Sequence, residues 1–114
     1  MDEPIWSQIT EADRAFLLSV ARGLLIARTK YPGPQDRYIA LTGEAGEAFY
    51  AFQRLITGRG SVEDLGEELR QVAQMACRLA TEGDTMLKPE VQAQFPCIVQ
   101  PDPEIKPHQP GFFR

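Results

Sequence analysis

The chain has 114 residues, 43% of them hydrophobic and 25% charged, with a formal net charge of −4. That length bounds it to one domain, and that composition excludes global disorder. The negative balance argues against a nucleic-acid backbone as main partner, while leaving room for a nucleotide whose charge a metal ion offsets.

No apolar run approaches the roughly 20 residues that span a bilayer, so no membrane association is predicted. The acidic opening MDEPIWSQ has no basic segment followed by an apolar one, which predicts a cytoplasmic location without a secretory signal. Cys77 and Cys97 show no metal-ligand spacing. Cys77, among Ala73, Ala76 and Ala80, reads as a buried reduced thiol.

Residues 1–9 form a lead-in whose Ile5, Trp6 and Ile9 can dock on a neighbour. Thr10, with Glu11 and Asp13 after it, reads as the N-cap of a first helix over 11–29. Its apolar stripe runs through Phe16, Leu17, Val20, Leu24 and Leu25 and is wide enough to meet more than one neighbour. Gly23 inside it suggests a close helix crossing. Tyr31-Pro32-Gly33-Pro34 stops this helix, because proline has no N–H and disfavours helix in the residue before it.

A second helix is expected from Gln35 or Asp36 to about Thr57, with Tyr38, Leu41, Ala45, Ala48, Phe49, Phe52, Leu55 and Ile56 as its apolar face. Gly58 and Gly60 end it in a tight turn. Ser61, with Asp64 three residues on, starts a third helix over 61–82, whose core stripe is Leu65, Leu69, Val72, Ala76 and Leu79. So short a connection makes the second and third helices antiparallel neighbours. A short fourth helix fits 85–94, with Pro89 in its first turn. From Phe95 onward Pro96, Pro101, Pro103, Pro107 and Pro110 exclude regular structure. The tail keeps Ile98, Ile105, Phe112 and Phe113, which suits an extended segment lying on the domain or on a second subunit. The expected organisation is an all-α domain over 1–94 and a proline-rich tail over 95–114. A helical hairpin with an N-terminal helix leaves apolar surface over, so a four-helix-bundle-like core completed by oligomerisation is expected.

The chemistry-bearing residues lie on the hairpin. Glu44 and Glu47 stand three apart on its first helix, a spacing that points both carboxylates the same way. Glu68 and Gln71 take matched places on its second helix, with Glu67 beside them. By helical phase Glu44 and Glu68 fall at the borders of the apolar stripes. Acidic residues on helices are commonly a solvated face. Here their matched phase equally suits an oxygen-rich pocket for a hard divalent cation.

Leu41-Thr42-Gly43-Glu44-Ala45-Gly46-Glu47 resembles the E-x-G-E core of the MazG-like, all-α nucleoside triphosphate pyrophosphohydrolases. Glu67-Glu68-Leu69-Arg70-Gln71-Val72 is similar to that family's second motif, usually E-E-L-x-D-V. The resemblance covers about residues 37–79. It implies a homodimer or homotetramer of helical hairpins that uses Mg²⁺, or Mn²⁺ in its place, to cleave a nucleoside triphosphate to a monophosphate and pyrophosphate. It assigns Glu44, Glu47 and Glu68 as metal ligands and catalytic carboxylates, with Gln71 at the fourth ligand position. The family usually has Asp there, and the acid it often carries before the first Glu is Gly43 here. A Gln carbonyl still coordinates but brings no charge and is no base. The alternative is therefore a catalytically silent helical assembly or a module that binds nucleotide or metal without turnover. Asp64 and Glu67 are candidates to complete the ligand set. Lys30, Arg37, Arg54 and Arg70 are candidate phosphate contacts, and Trp6, Tyr31, Tyr38 and Phe49 candidate walls for the base. His108 reads as a solvated side chain.

Overall fold

A computed structural model describes residues 3–33 and 35–96. Cys97, His108 and most of the proline-rich tail lie outside the described residues. The described residues form five helices and no strand: α1 (Glu3–Gln8), α2 (Glu11–Lys30), α3 (Arg37–Ile56), α4 (Val62–Glu82) and α5 (Pro89–Gln92). None is long and apolar enough to cross a membrane.

The local signals fall where the sequence places them. Thr10 and Asp13 close a reciprocal capping box at the start of α2: Asp13 N donates to Thr10 Oγ1 at 3.0 Å, and Thr10 N donates to Asp13 Oδ2 at 3.1 Å. Ser61 Oγ accepts from Asp64 N at 3.0 Å and opens α4. Gly58, at φ 75°, turns the chain between α3 and α4. The lead-in forms the short helix α1 rather than an irregular arm. Arg14 ties it down by donating to the carbonyls of Trp6 and Ile9.

α3 and α4 form the hairpin, and α2 packs on α4. Gly23 lies directly under the Arg70 and Gln74 side chains, the close crossing its small size permits. The hairpin seam differs from the expected one. On α3 Arg37, Glu44 and Ala48 are buried, with Leu41, Ala51 and Leu55 half-buried between and after them. On α4 Met75, Arg78 and Glu82 are buried, with Glu68 and Gln71 half-buried. Both sets advance by alternate threes and fours, the spacing of a two-helix seam. Of the expected stripe on α3, Leu41, Ala48 and Leu55 lie in this seam, while the rest sits roughly 90° away: Tyr38, Phe49, Phe52 and Ile56 are 50–70% exposed, and Ala45 is exposed with them. On α4 Leu65, Val72 and Leu79 are half-buried, while Leu69 and Ala76 are exposed likewise. The two stripes flank the same side of the hairpin, because equal rotations on antiparallel helices point the same way. Glu44 and Glu68 are therefore in the seam itself rather than at its border.

An ionic cluster forms at one end of this seam. Glu82 Oε1 meets Arg37 at 2.8 Å and Arg78 at 2.9 Å, and its Oε2 meets Arg28 at 2.6 Å, joining α2, α3 and α4 at one end. Glu82, Arg37, Arg78 and Asp84 are all buried. Burial would raise the Glu82 pKa, but hydrogen bonds from Arg78 and Arg28 and the nearby guanidinium charges outweigh it and hold the group below its ordinary value. Burial, with the charge of Arg78 second, lowers Arg37 to about 10. Asp84 completes the joint by accepting from Tyr38 N at 2.6 Å, which caps the start of α3 from beyond the end of α4. Gly83, at φ 80°, makes that turn possible, and a Cβ there would run into the Gln92 side chain. Gln92, carried on α5, accepts from Asp84 N and donates to the Glu82 carbonyl. The expected fourth helix thus shortens to one turn that braces the end of α4. Cys77 is half-buried and not in a disulfide.

Candidate metal centre

Glu44, Glu47 and Glu68 come together across the seam. Each offers one carboxylate oxygen, and the three oxygens lie within 4.8 Å of one another. Glu44 is the anchored member, only 4% exposed near the middle of α3. One turn on, Glu47 is exposed at the mouth. Glu68 approaches from α4, half-buried, and its Oε2 is buried without a hydrogen-bond donor among the described residues. Desolvation first, then the negative charge of Glu47, raises the Glu68 pKa. Three carboxylates held this close with a carboxyl oxygen lacking a donor are short of positive charge. Their hard oxygen donors are of the kind that can hold a metal cation.

The fourth position is differently engaged. Gln71 Nε2 donates to Glu67 Oε2 at 3.0 Å, so the ligand atom Gln71 can offer is its Oε1. Glu67 also takes a two-pronged contact from Arg70, at 2.6 and 3.0 Å. Arg70 first, and then Gln71, lowers its pKa to about 2. Glu67 is thus a paired carboxylate beside the three that gather.

Two clefts flank the centre and share Glu67. The first, about 490 Å³, is lined by Glu47, Tyr50, Arg54, Asp64, Glu67 and Glu68 among others. The second, about 540 Å³ between α2 and α4, is lined by Arg22, Lys30, Arg70, Gln71 and Gln74 among others. Of the candidate cations, Arg54 stands in the acidic cleft, while Lys30 and Arg70 line the second. Arg37 does not belong with them: it is 1% exposed and committed to Glu82, so it is a structural cation rather than a phosphate contact. Of the aromatic candidates Trp6, Tyr31, Tyr38 and Phe49, none lines the acidic cleft; Tyr50 does. Periodicity grouped the aromatic residues as core, which left Tyr50, outside the stripe, unconsidered. The Arg78–Glu82 pair was also missed, although its four-residue spacing on one helix is a readable signal.

No protein-family model, no curated protein and no solved structure matches the chain.

Proposed function

We propose that the protein is a Mg²⁺-dependent pyrophosphohydrolase of the MazG-like kind, converting a nucleoside triphosphate to its monophosphate and pyrophosphate. The observation that carries this reading is the convergence of the Glu44, Glu47 and Glu68 carboxylate oxygens to within 4.8 Å across two helices. Their order in the chain and their separation by a short turn match the two motifs the sequence resembles.

Each residue then has a task. Glu44 and Glu68, fixed by the seam, and Glu47, at its mouth, would hold the cation, with Gln71 Oε1 as a neutral fourth donor. Bound Mg²⁺ would supply neutralisation of the polyphosphate, polarisation of its oxygens and activation of water. Glu47 is the solvent-facing carboxylate, so its oxygen not given to the cation would be the one to accept the proton of an attacking water. Phosphoryl chemistry needs mostly positioning and charge stabilisation, so a carboxylate centre with an adjoining cleft is a sufficient device. The exposed stripe of Tyr38, Phe49, Phe52, Ile56 and Leu69 lies on the side of the hairpin away from the acidic cleft. It supports a dimer in which two hairpins build a four-helix core.

A second reading, a metal-binding module without turnover, is favoured by Gln71, which adds no charge and gives its amide to Glu67. A panel of nucleoside and deoxynucleoside triphosphates with Mg²⁺ or Mn²⁺, assayed for pyrophosphate, separates the two. The enzyme releases pyrophosphate and monophosphate, and loses this with Glu47→Gln. The silent module binds metal and releases nothing.

A further inference from the structure

The acidic cleft contains a cation that none of its carboxylates takes. Arg54 lines it together with Glu47, Asp64, Glu67 and Glu68, yet among the described residues Arg54 makes no ion pair. Its guanidinium rests over the Tyr50 ring, 5.9 Å from the centroid. Its Nη2 donates to the Arg59 carbonyl at 3.2 Å. The turn is shaped to come up against it: a Cβ at Gly60 would lie 3.1 Å from Arg54 Cβ.

Helical geometry sets what this cation can reach. Glu47 and Arg54 are two turns apart on α3, so they project within about 20° of each other with a rise of about 10.5 Å. Tyr50, whose ring lies under the guanidinium, stands between Glu47 and Arg54 along α3. Glu67 is already neutralised by Arg70. A divalent cation would offset two of the three charges of Glu44, Glu47 and Glu68, and Asp64 also lines the cleft, so besides the metal the one cationic side chain among the described lining residues that an anion can meet is Arg54, with its planar guanidinium. An anion that satisfies both ends carries charge at both ends, as a phosphoanhydride does and a lone phosphate does not.

Resting on the metal-centre reading above, we infer that Arg54, steadied by Tyr50, binds the metal-distal phosphate of a metal-bound di- or triphosphate. It makes the cleft selective for phosphoanhydrides over single phosphates.

The test uses Mn²⁺ alone, Mn²⁺ with inorganic pyrophosphate and Mn²⁺ with orthophosphate, titrated into the full chain and into Arg54→Gln, Arg54→Lys and Tyr50→Leu. Arg54 and Tyr50 are both exposed, and thermal melts check that the variants stay folded. The wild type should bind pyrophosphate at least about tenfold more tightly than orthophosphate. Arg54→Gln should lose that preference while binding Mn²⁺ alone within about twofold of wild type. Arg54→Lys, a point charge without the fork, should retain part of it, and Tyr50→Leu should weaken it. Unchanged pyrophosphate binding in Arg54→Gln, or an equal loss for both anions, overturns the inference. So does a wild type that binds Mn²⁺ without preferring pyrophosphate, which leaves the metal-centre reading standing. A wild type that binds no Mn²⁺ overturns both.

Discussion

Gln71 and Glu68 stand three residues apart on α4 and carry the two unusual features of the centre. Glu68 has more negative charge around it than its site compensates, and Gln71 adds none. Gln71→Asp would bring to this position the charge usual in the motif that the sequence resembles. It would also remove the amide that donates to Glu67 and set a carboxylate near Glu67 and Glu68. The expected outcome is a metal-free protein of lower melting temperature and Mg²⁺ affinity raised about tenfold, read by calorimetric titration. Unchanged or weaker Mg²⁺ binding would mean that the centre is organised around the neutral amide. At this scale much was legible. The motif residues, the caps at Thr10 and Ser61 and the turn at Gly58 are local features, and the chain around each suffices to define them. Arg54 was among the candidate cations, but Tyr50 as a neighbour of the carboxylate cluster was harder to read, because which side of α3 faces the cleft depends on how α3 meets α4.

That rotation belongs to the element scale. Apolar periodicity on α3 and α4 gives the correct helices, the correct hairpin and the apolar part of the seam (Leu41, Ala48 and Leu55 on α3), but misses its polar part, because it weighs only apolar residues. Arg37, Arg78, Glu82 and Asp84 are buried at one end of the seam, and pairing between residues 37 and 82 is invisible to any local window. Removing one member of a buried ion cluster leaves the others uncompensated, which costs about 3–5 kcal/mol. Glu82→Ala should therefore lower stability by that amount, read from the urea midpoint at pH 7. Glu82 has a folded pKa below its unfolded value of about 4.3. Its contribution is fully present above that pH and is lost as pH falls through the folded pKa. The wild type should lose this part of its stability below about pH 4.3, and Glu82→Ala should lack that acid-sensitive component. A substitution with no effect at either pH would show that the cluster does not hold the three helices together.

For the whole molecule, the balance of buried groups is the main fact. Only Val20, Ala27, Ala48 and Met75 are buried hydrophobic side chains among the described residues, while Phe49, Phe52, Ile56, Leu25 and Ile26 stay exposed. One chain leaves apolar surface that a second copy would cover, and small domains gain the most from such burial. Sedimentation equilibrium at micromolar concentration should give a dimer or tetramer, and Phe52→Asp should shift it toward monomer. A stable folded wild-type monomer would contradict the shared-core account. The all-α hairpin and the apolar surface it leaves over were both readable from the sequence, whereas the buried polar groups Arg37, Glu44, Gln74, Arg78, Glu82 and Asp84 were not, because their burial depends on how the helices meet.

If three carboxylates from two helices hold a divalent cation, Mn²⁺ titration followed by electron paramagnetic resonance should show saturable binding of Mn²⁺ by the wild-type chain, displaced by Mg²⁺. Glu68→Gln should weaken that binding by at least about tenfold while the fold is kept. Failure of the wild type to bind Mn²⁺ at millimolar concentration, or full binding by Glu68→Gln, would contradict it.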